Sequence, residues 1–205
     1  MDFDLTSEQS LLKDTAIRWA ADTYGSLDAV QAARAEPLGF SEATWAELAG
    51  LGLAGLPFSE GDGGFGGGPL ETQLVMEALG RALAPEPYLA SVVLGGGALR
   101  LAANDAQRVE LLPAIIDGSL RLAFAHAEEQ ARYDLHDVAT TARATGDGYV
   151  LDGRKSVVLN ADAAGLLVVS ARTSGARRDD GQRAARRPGE LRPALGAQGG
   201  GARGE

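Results

Sequence analysis

Apolar positions near the start recur at helical spacing. Leu12, Ala16, Trp19 and Ala20 fall on one face, and Thr6 and Gln9 are placed as a capping box. The pattern predicts a first helix running to about Asp22. Ser41 caps another through Leu48, stopped by Gly50. Pro69 suits the first turn of a third, in which Leu70, Leu74, Ala78 and Leu79 recur until Pro85 ends it. Segments from Tyr88 to Ala103 and from Ala106 to Leu112, the latter capped by Asp105, extend the series. Up to about residue 118 the chain reads as an all-helical bundle.

The period then shortens. RLAFAH (121–126), VATTARAT (138–145), YVLDGRKSVVLN (149–160) and GLLVVSART (165–173) read as strands, separated by GDG at 146–148 and DG at 152–153. DGYVLDGRK reads as a hairpin. Helices followed by strands, rather than alternating with them, make an α+β arrangement. The expected division is a helical bundle over residues 1–118, a partial antiparallel β-domain over 119–178 and a tail over 179–205.

Composition narrows the partners. The 205 residues carry a net charge of -9, which disfavours nucleic acid and anionic membrane, since phosphate is bound mainly through Lys and Arg. There is no cysteine, so no disulfide framework or thiolate metal site. The start MDFDLTSEQS has acid where a signal peptide has base, and no apolar run approaches the length of a membrane span. A cytoplasmic protein with an acyl or small-molecule partner is expected.

Two local patterns invite sharper readings. GDGGFG at 61–66 fits G-x-G-x-x-G, with Glu86 about where such a fold places its ribose-binding acid. The context differs, because LGLAGLPF before Gly61 contains Gly, Pro and no β-branched residue, so it is a poor buried strand. The segment reads as a Gly-rich connection between helices. His126, Glu128, Glu129, Asp134, His136 and Asp137 crowd together, and H-x-E suggests a metal; without a P-C-x-x-C partner, a polar loop is the preferred reading and no metal ligand is assigned. Trp19 and Trp45 occupy apolar helix positions and read as core. Lys155 reads either as a solvated hairpin residue or as a phosphate clamp.

Four segments in order carry a resemblance: DLTSEQSLLKD, LPFSEGDGGFGGGPLETQLVMEALGRAL, LLPAIIDGSLRLAFAHAE and YVLDGRKSVVLNADAAGLLVVSART. Together they resemble the acyl-CoA dehydrogenase family from Phe3 to about Arg178. ARYDLHDV is most similar to its small-subunit branch, such as the pimeloyl-CoA dehydrogenase small subunit. The resemblance implies an N-terminal helical domain, a middle β-domain and a C-terminal helical domain, with FAD as cofactor. The implied reaction removes hydrogens across the α and β carbons of an acyl-CoA thioester: a carboxylate takes the α proton and the flavin the β hydride.

The implied sites transfer residue by residue. The loop AHAEEQARYD (125–134) matches the family's A-x-T-E-P-G-A-G-S-D, so the resemblance places Ala125, Ala127 and Glu128 at the cofactor and Tyr133 and Asp134 at the CoA. Ala127 stands where the family has its flavin-contacting Thr, and Tyr133 where it has Ser. In GRKSVVLN (153–160), Gly153, Lys155 and Asn160 match G-x-K-x-W-I-T-N, while Val157 and Leu159 take the flavin-flanking Trp and Thr positions.

The family's catalytic Glu belongs to the C-terminal helical domain, so no catalytic residue is assigned here, and the chain is expected to be inactive alone. Arg, Ala, Gly and Pro make 18 of the 24 residues from Gln182. All have codons whose first two bases are G or C, as a GC-rich gene read out of frame would give. With no β-branched or aromatic residue, this tail is expected to be disordered. The competing reading is an Arg/Gly-rich binding tail, against which Asp179, Asp180 and Glu190 count. Two function classes follow: an acyl-CoA dehydrogenase-type flavoprotein in a homo- or hetero-oligomer with a large subunit, or a non-catalytic scaffolding subunit beside such a partner.

Overall fold

The computed structural model describes residues 4–146 and 148–177. The tail expected over 179–205 therefore lies outside the described residues. Six α-helices occupy the first part: α1 (Ser7–Tyr24), α2 (Leu27–Arg34), α3 (Glu42–Gly50), α4 (Pro69–Ala82), α5 (Gly97–Ala102) and α6 (Asp105–Ile116). Four strands follow: β1 (Leu122–Ala125), β2 (Thr141–Thr145), β3 (Gly148–Asp152) and β4 (Leu166–Val169).

The capping box forms as read. Thr6 Oγ1 accepts from the Gln9 amide at 3.2 Å, and Gln9 Oε1 accepts from the Thr6 amide at 3.0 Å. The Gln9 amide group also donates to Glu71 Oε1 at 2.7 Å, which ties the start of α1 to α4. Helix α2 had no counterpart in the sequence reading; Ser26 caps it through the Ala29 amide, and the helix buries only Val30 and Ala33. Helix α6 is capped by Asn104, not Asp105, because the Asn104 and Gln107 side chains each close the other's backbone amide. It continues past Leu112 to Ile116, since Leu112 and Ile115 are both fully buried and the core rewards the extra turn.

Helix α5 extends a π-helical stretch, Leu89–Gly96. Its two terminal glycines permit close packing: a Cβ on Gly95 would sit 2.5 Å from Leu122 Cβ, and one on Gly96 would sit 2.7 Å from the Phe58 ring. Ser91, in the same stretch, accepts the Leu122 amide at 3.0 Å. β1 is thus seated on the helical unit. Trp45, Phe58, Tyr88, Leu53 and Leu99 form the centre of the core, with Trp45 donating to Gly118 O at 2.8 Å and Tyr88 to Leu53 O at 3.0 Å. Trp19 is buried as well, at the edge of this core. Leu11, Leu101 and Val109 remain exposed on the helical unit.

The strands depart from the antiparallel expectation in one respect. β2 and β3 form an antiparallel hairpin, but β1 and β4 pair in parallel, Leu122 opposite Leu166 through Ala125 opposite Val169. Parallel neighbours need a long crossover, and residues 126–165, including the hairpin, supply it. A parallel bridge between Thr141 and Arg172 joins the two pairs, with the Ala142 amide on Arg172 O at 2.8 Å.

The hairpin is also placed differently. Its last pair is Thr145 with Gly148, and β3 ends at Asp152 instead of pairing with the segment beyond 153. Gly153 passes so close to Thr140 that an added Cβ would meet Thr140 Oγ1 at 2.5 Å, and from there the chain turns inward. Val157 and Asn160 then take left-handed backbone conformations, φ 52° and 59°, which no strand contains.

Candidate functional site

The Gly-rich connection is already satisfied from within. Its amides from Asp62 to Gly68 donate in turn to Ser59 O, Glu60 O, Ser59 O, Gly55 O, Phe58 O, Leu56 O and Glu71 Oε2. A phosphate cradle needs those N–H groups free. Glu86 has no ribose role either: it is buried in the helical unit, where Oε1 accepts from Thr44 Oγ1 at 2.7 Å and from the Tyr24 phenol. Burial and that bond push the Tyr24 hydroxyl above its ordinary pKa. A cleft of about 480 Å³ beside the Gly-rich connection is lined by Gln9, Leu12, Leu53, Phe65 and Gly67 and contains none of the sequence-predicted site residues.

The end of β1 is where those residues gather. Ala125 is buried in the strand, with its carbonyl accepting from the Ser170 amide at 3.2 Å. Ala127 is exposed, and its carbonyl accepts from the Ser156 amide at 2.9 Å. This bond lays the 153–160 segment beside the loop that follows β1.

Glu128 is 3% exposed and fully engaged. Oε1 accepts from Lys155 Nζ at 2.7 Å, Thr140 Oγ1 at 2.6 Å and the Thr140 amide at 3.0 Å. Oε2 accepts from the Ala139 amide and from Gln130 Nε2, both at 2.6 Å. Burial opposes the charged form, but the bonds from Lys155, Thr140 and Gln130 prevail and hold the carboxyl well below the usual carboxylate range.

Lys155 corrects both sequence readings. Its side chain is 9% exposed, so it is not a solvated hairpin residue. Its ammonium, bonded to Glu128, to Ser170 Oγ at 3.0 Å and to His126 O at 3.3 Å, has no donor left for a phosphate. The sequence signal for this was its match to the Lys of the family segment; Ser170 and Thr140 carried none.

His126 stacks on Phe124, ring centroids 5.3 Å apart, and its Nδ1 pairs with Ser170 Oγ at 3.0 Å. Burial, then the Lys155 charge, lowers its pKa below the ordinary value. Asp134 Oδ1 accepts from the His136 amide at 3.0 Å, and Asp137 makes a two-pronged pair with Arg177 at 2.6 and 2.8 Å. His126, Glu128, Asp134 and Asp137 of this loop thus each engage a separate partner.

The remaining predicted positions are presented outward. Tyr133 is 97% exposed, Val157 84% and Leu159 48%. Asn160 Nδ2 is buried without a hydrogen-bond partner. The structure thus brings Ala127 and Glu128 against Ser156 and Lys155, leaves Ala125 paired with β4, and sets Tyr133 and Asp134 farther along the loop after Arg132, itself at φ 48°.

A helical unit that seats a small β unit through its first strand, with these two loops side by side, defines an acyl-CoA dehydrogenase-type fold. The model of the acyl-CoA dehydrogenase N-terminal domain matches residues 6–119, and that of the middle domain matches residues 123–186. The chain belongs to the acyl-CoA dehydrogenase family. It is similar to acyl-CoA dehydrogenase FadE12 of Mycobacterium tuberculosis, 33% identical over 193 residues, which cover 93% of this chain and 46% of the relative. Among solved structures, the FAD complex of PigA superposes with a TM-score of 0.74 at 28% identity, covering 86% of this chain and 46% of that one. The ChsE4-ChsE5 complex from Mycobacterium tuberculosis gives 0.72 at 28% identity, covering 83% and 45%. The chain spans about half the length of the curated relatives it matches.

Proposed function

We propose that this chain is the helical and β portion of an FAD-dependent acyl-CoA dehydrogenase, working as part of a cytoplasmic homo- or hetero-oligomer with a large subunit. The observation that carries the reading is the junction of its two loops. The Ser156-to-Ala127 hydrogen bond and the Lys155–Glu128 pair, with Lys155 also on the His126 carbonyl, set residues 126–128 against the segment leading to Val157 and Leu159. The likeness to the FAD complex of PigA supports the cofactor, and the likeness to the ChsE4-ChsE5 complex supports the oligomer. No described helix is long and apolar enough to cross a membrane.

The residues present fit a flavin through one orphaned donor, Asn160 Nδ2, and through open apolar surface at Val157 and Leu159. Ala127, Val157 and Leu159 would border it, Ala125 and Glu128 would support the backbone behind them, and Tyr133 and Asp134 would lie toward the CoA. When bound, the flavin supplies acceptance of the substrate's β hydride. The chain's own contribution is to orient that ring and cover its face, since Ala127, Val157 and Leu159 have no hydroxyl to offer it. No described residue is assigned to remove the α proton, so these 205 residues alone are expected to be inactive.

Val157 and Leu159 also favour a second reading, a non-catalytic subunit that shapes a partner's site. Adding FAD to the purified flavin-free chain separates the two. Quenched flavin fluorescence with a rise in melting temperature supports the flavoprotein. Unchanged values support the scaffold, and acyl-CoA turnover by these 205 residues alone overturns the expected inactivity.

A further inference from the structure

Lys155 and Glu128 lie between three stretches of chain outside the strands. Glu128 belongs to the loop leaving β1, and its carboxylate collects the amides of Ala139 and Thr140 on the approach to β2. Lys155, from the segment after β3, reaches the same carboxylate, the His126 carbonyl and Ser170 just beyond β4. The Ser156 amide then closes on Ala127. Every link of this network lies within residues 126–170.

A paired and fully bonded ammonium and carboxylate at this depth act as a strut. Each alone is an uncompensated buried charge, so the segments open unless both are in place. Neither group faces outward enough to take part in chemistry at the loop surface. Their effect passes through the backbone that they fasten.

We propose that Glu128 and Lys155 are a positioning pair that holds residues 126–131, 139–140 and 155–160 as one rigid face, and that this face presents the flavin contacts. The inference rests on the flavin reading above. It assigns both residues a role without direct cofactor chemistry, and it makes the face a property of this chain alone.

The test uses the 205-residue chain without flavin, reading amide hydrogen exchange at Ser156, Ala139 and Thr140, followed by titration with FAD. Lys155→Met is expected to speed exchange at all three amides by ~100-fold, the size expected on removing one partner of a buried pair, while amides within α3 and α4 keep their protection. FAD affinity is expected to fall at least ~10-fold in the same variant, with Lys155→Arg recovering both measures in part, because the charge is what the carboxylate requires. If Lys155→Met also strips protection from α3 and α4, Glu128→Gln serves in its place, since it removes the charge and keeps the shape.

Unchanged exchange at the three amides overturns the strut. Faster exchange with unaltered FAD affinity overturns the claim that the strut serves the cofactor face. If the parent chain binds no FAD while the exchange change appears, the flavin reading falls and the fastening of the three segments stands.

Discussion

Ser91 Oγ accepts the Leu122 amide at 3.0 Å, and through this one bond the π-helical stretch of the helical unit holds the first residue of β1. Both residues are fully buried. Ser91→Ala leaves the amide without a partner away from water, a loss of about 1–3 kcal/mol. A urea denaturation curve of the variant should show the lower midpoint with little change of slope.

Glycine tolerance along the connection at 61–68 should follow backbone crowding. A Cβ on Gly64 would lie 2.6 Å from Gly55 O and also against Phe58 O, both backbone atoms that cannot swing away. Gly64→Ala is therefore expected to cost about 1–3 kcal/mol. Gly61, whose nearest neighbour would be Ser59 Oγ at 3.8 Å, should accept Ala with a change within about 1 kcal/mol. Equal losses at both positions in thermal denaturation would contradict the crowding argument.

Those amides should also ignore nucleotides. Because each from Asp62 to Gly68 already has an acceptor, NAD or pyrophosphate added to the labelled protein should leave their NMR resonances unmoved. Saturable shifts across the segment would restore the phosphate-loop reading.

Stability should fall in acid in two stages. His126 has a pKa lowered from 6.5 by burial and then by Lys155, with Glu128 opposing and His136 adding to the shift. The unfolded chain thus takes up this proton first. The contribution is full above about pH 6.5 and is lost as pH drops through the depressed value. Glu128, depressed from 4.5 by bonds that outweigh its burial, has the same sign: its contribution is complete above the ordinary carboxylate value and is lost progressively as pH falls from there toward the depressed one. Unfolding free energies from pH 8 to 3 should show the first decline flattened in His126→Gln and the second retained.

Val157 holds φ at 52° with its side chain 84% exposed. A β-branched residue is strained there, and glycine is not. Val157→Gly should therefore raise the melting temperature, by a stabilisation of about 1 kcal/mol. A lower melting temperature would mean that the valine side chain makes contacts outweighing the strain.

Much of this fold was legible one segment at a time. The first-turn cap at Thr6 and Gln9, the buried faces around Trp19 and Trp45, and the change of period near residue 118 depend on neighbours within a few positions, and local propensity and spacing record such neighbours directly. The same holds for the Gly-rich connection, whose missing upstream strand already argued against a dinucleotide. Helix α2 escaped because eight residues with two buried apolar groups leave too short a stripe to read.

The helical unit and the ordered motifs that mark the family were readable from sequence alone, since each is written in residues close together along the chain. The parallel pairing of β1 with β4, the end of β3 at Asp152 and the inward turn of Lys155 to Glu128 came instead from packing in three dimensions. These outcomes depend on groups from distant positions meeting in space. A lysine reads as solvated until a buried carboxylate 27 residues away, already fixed by Thr140 and Ala139, makes burial the lower free energy.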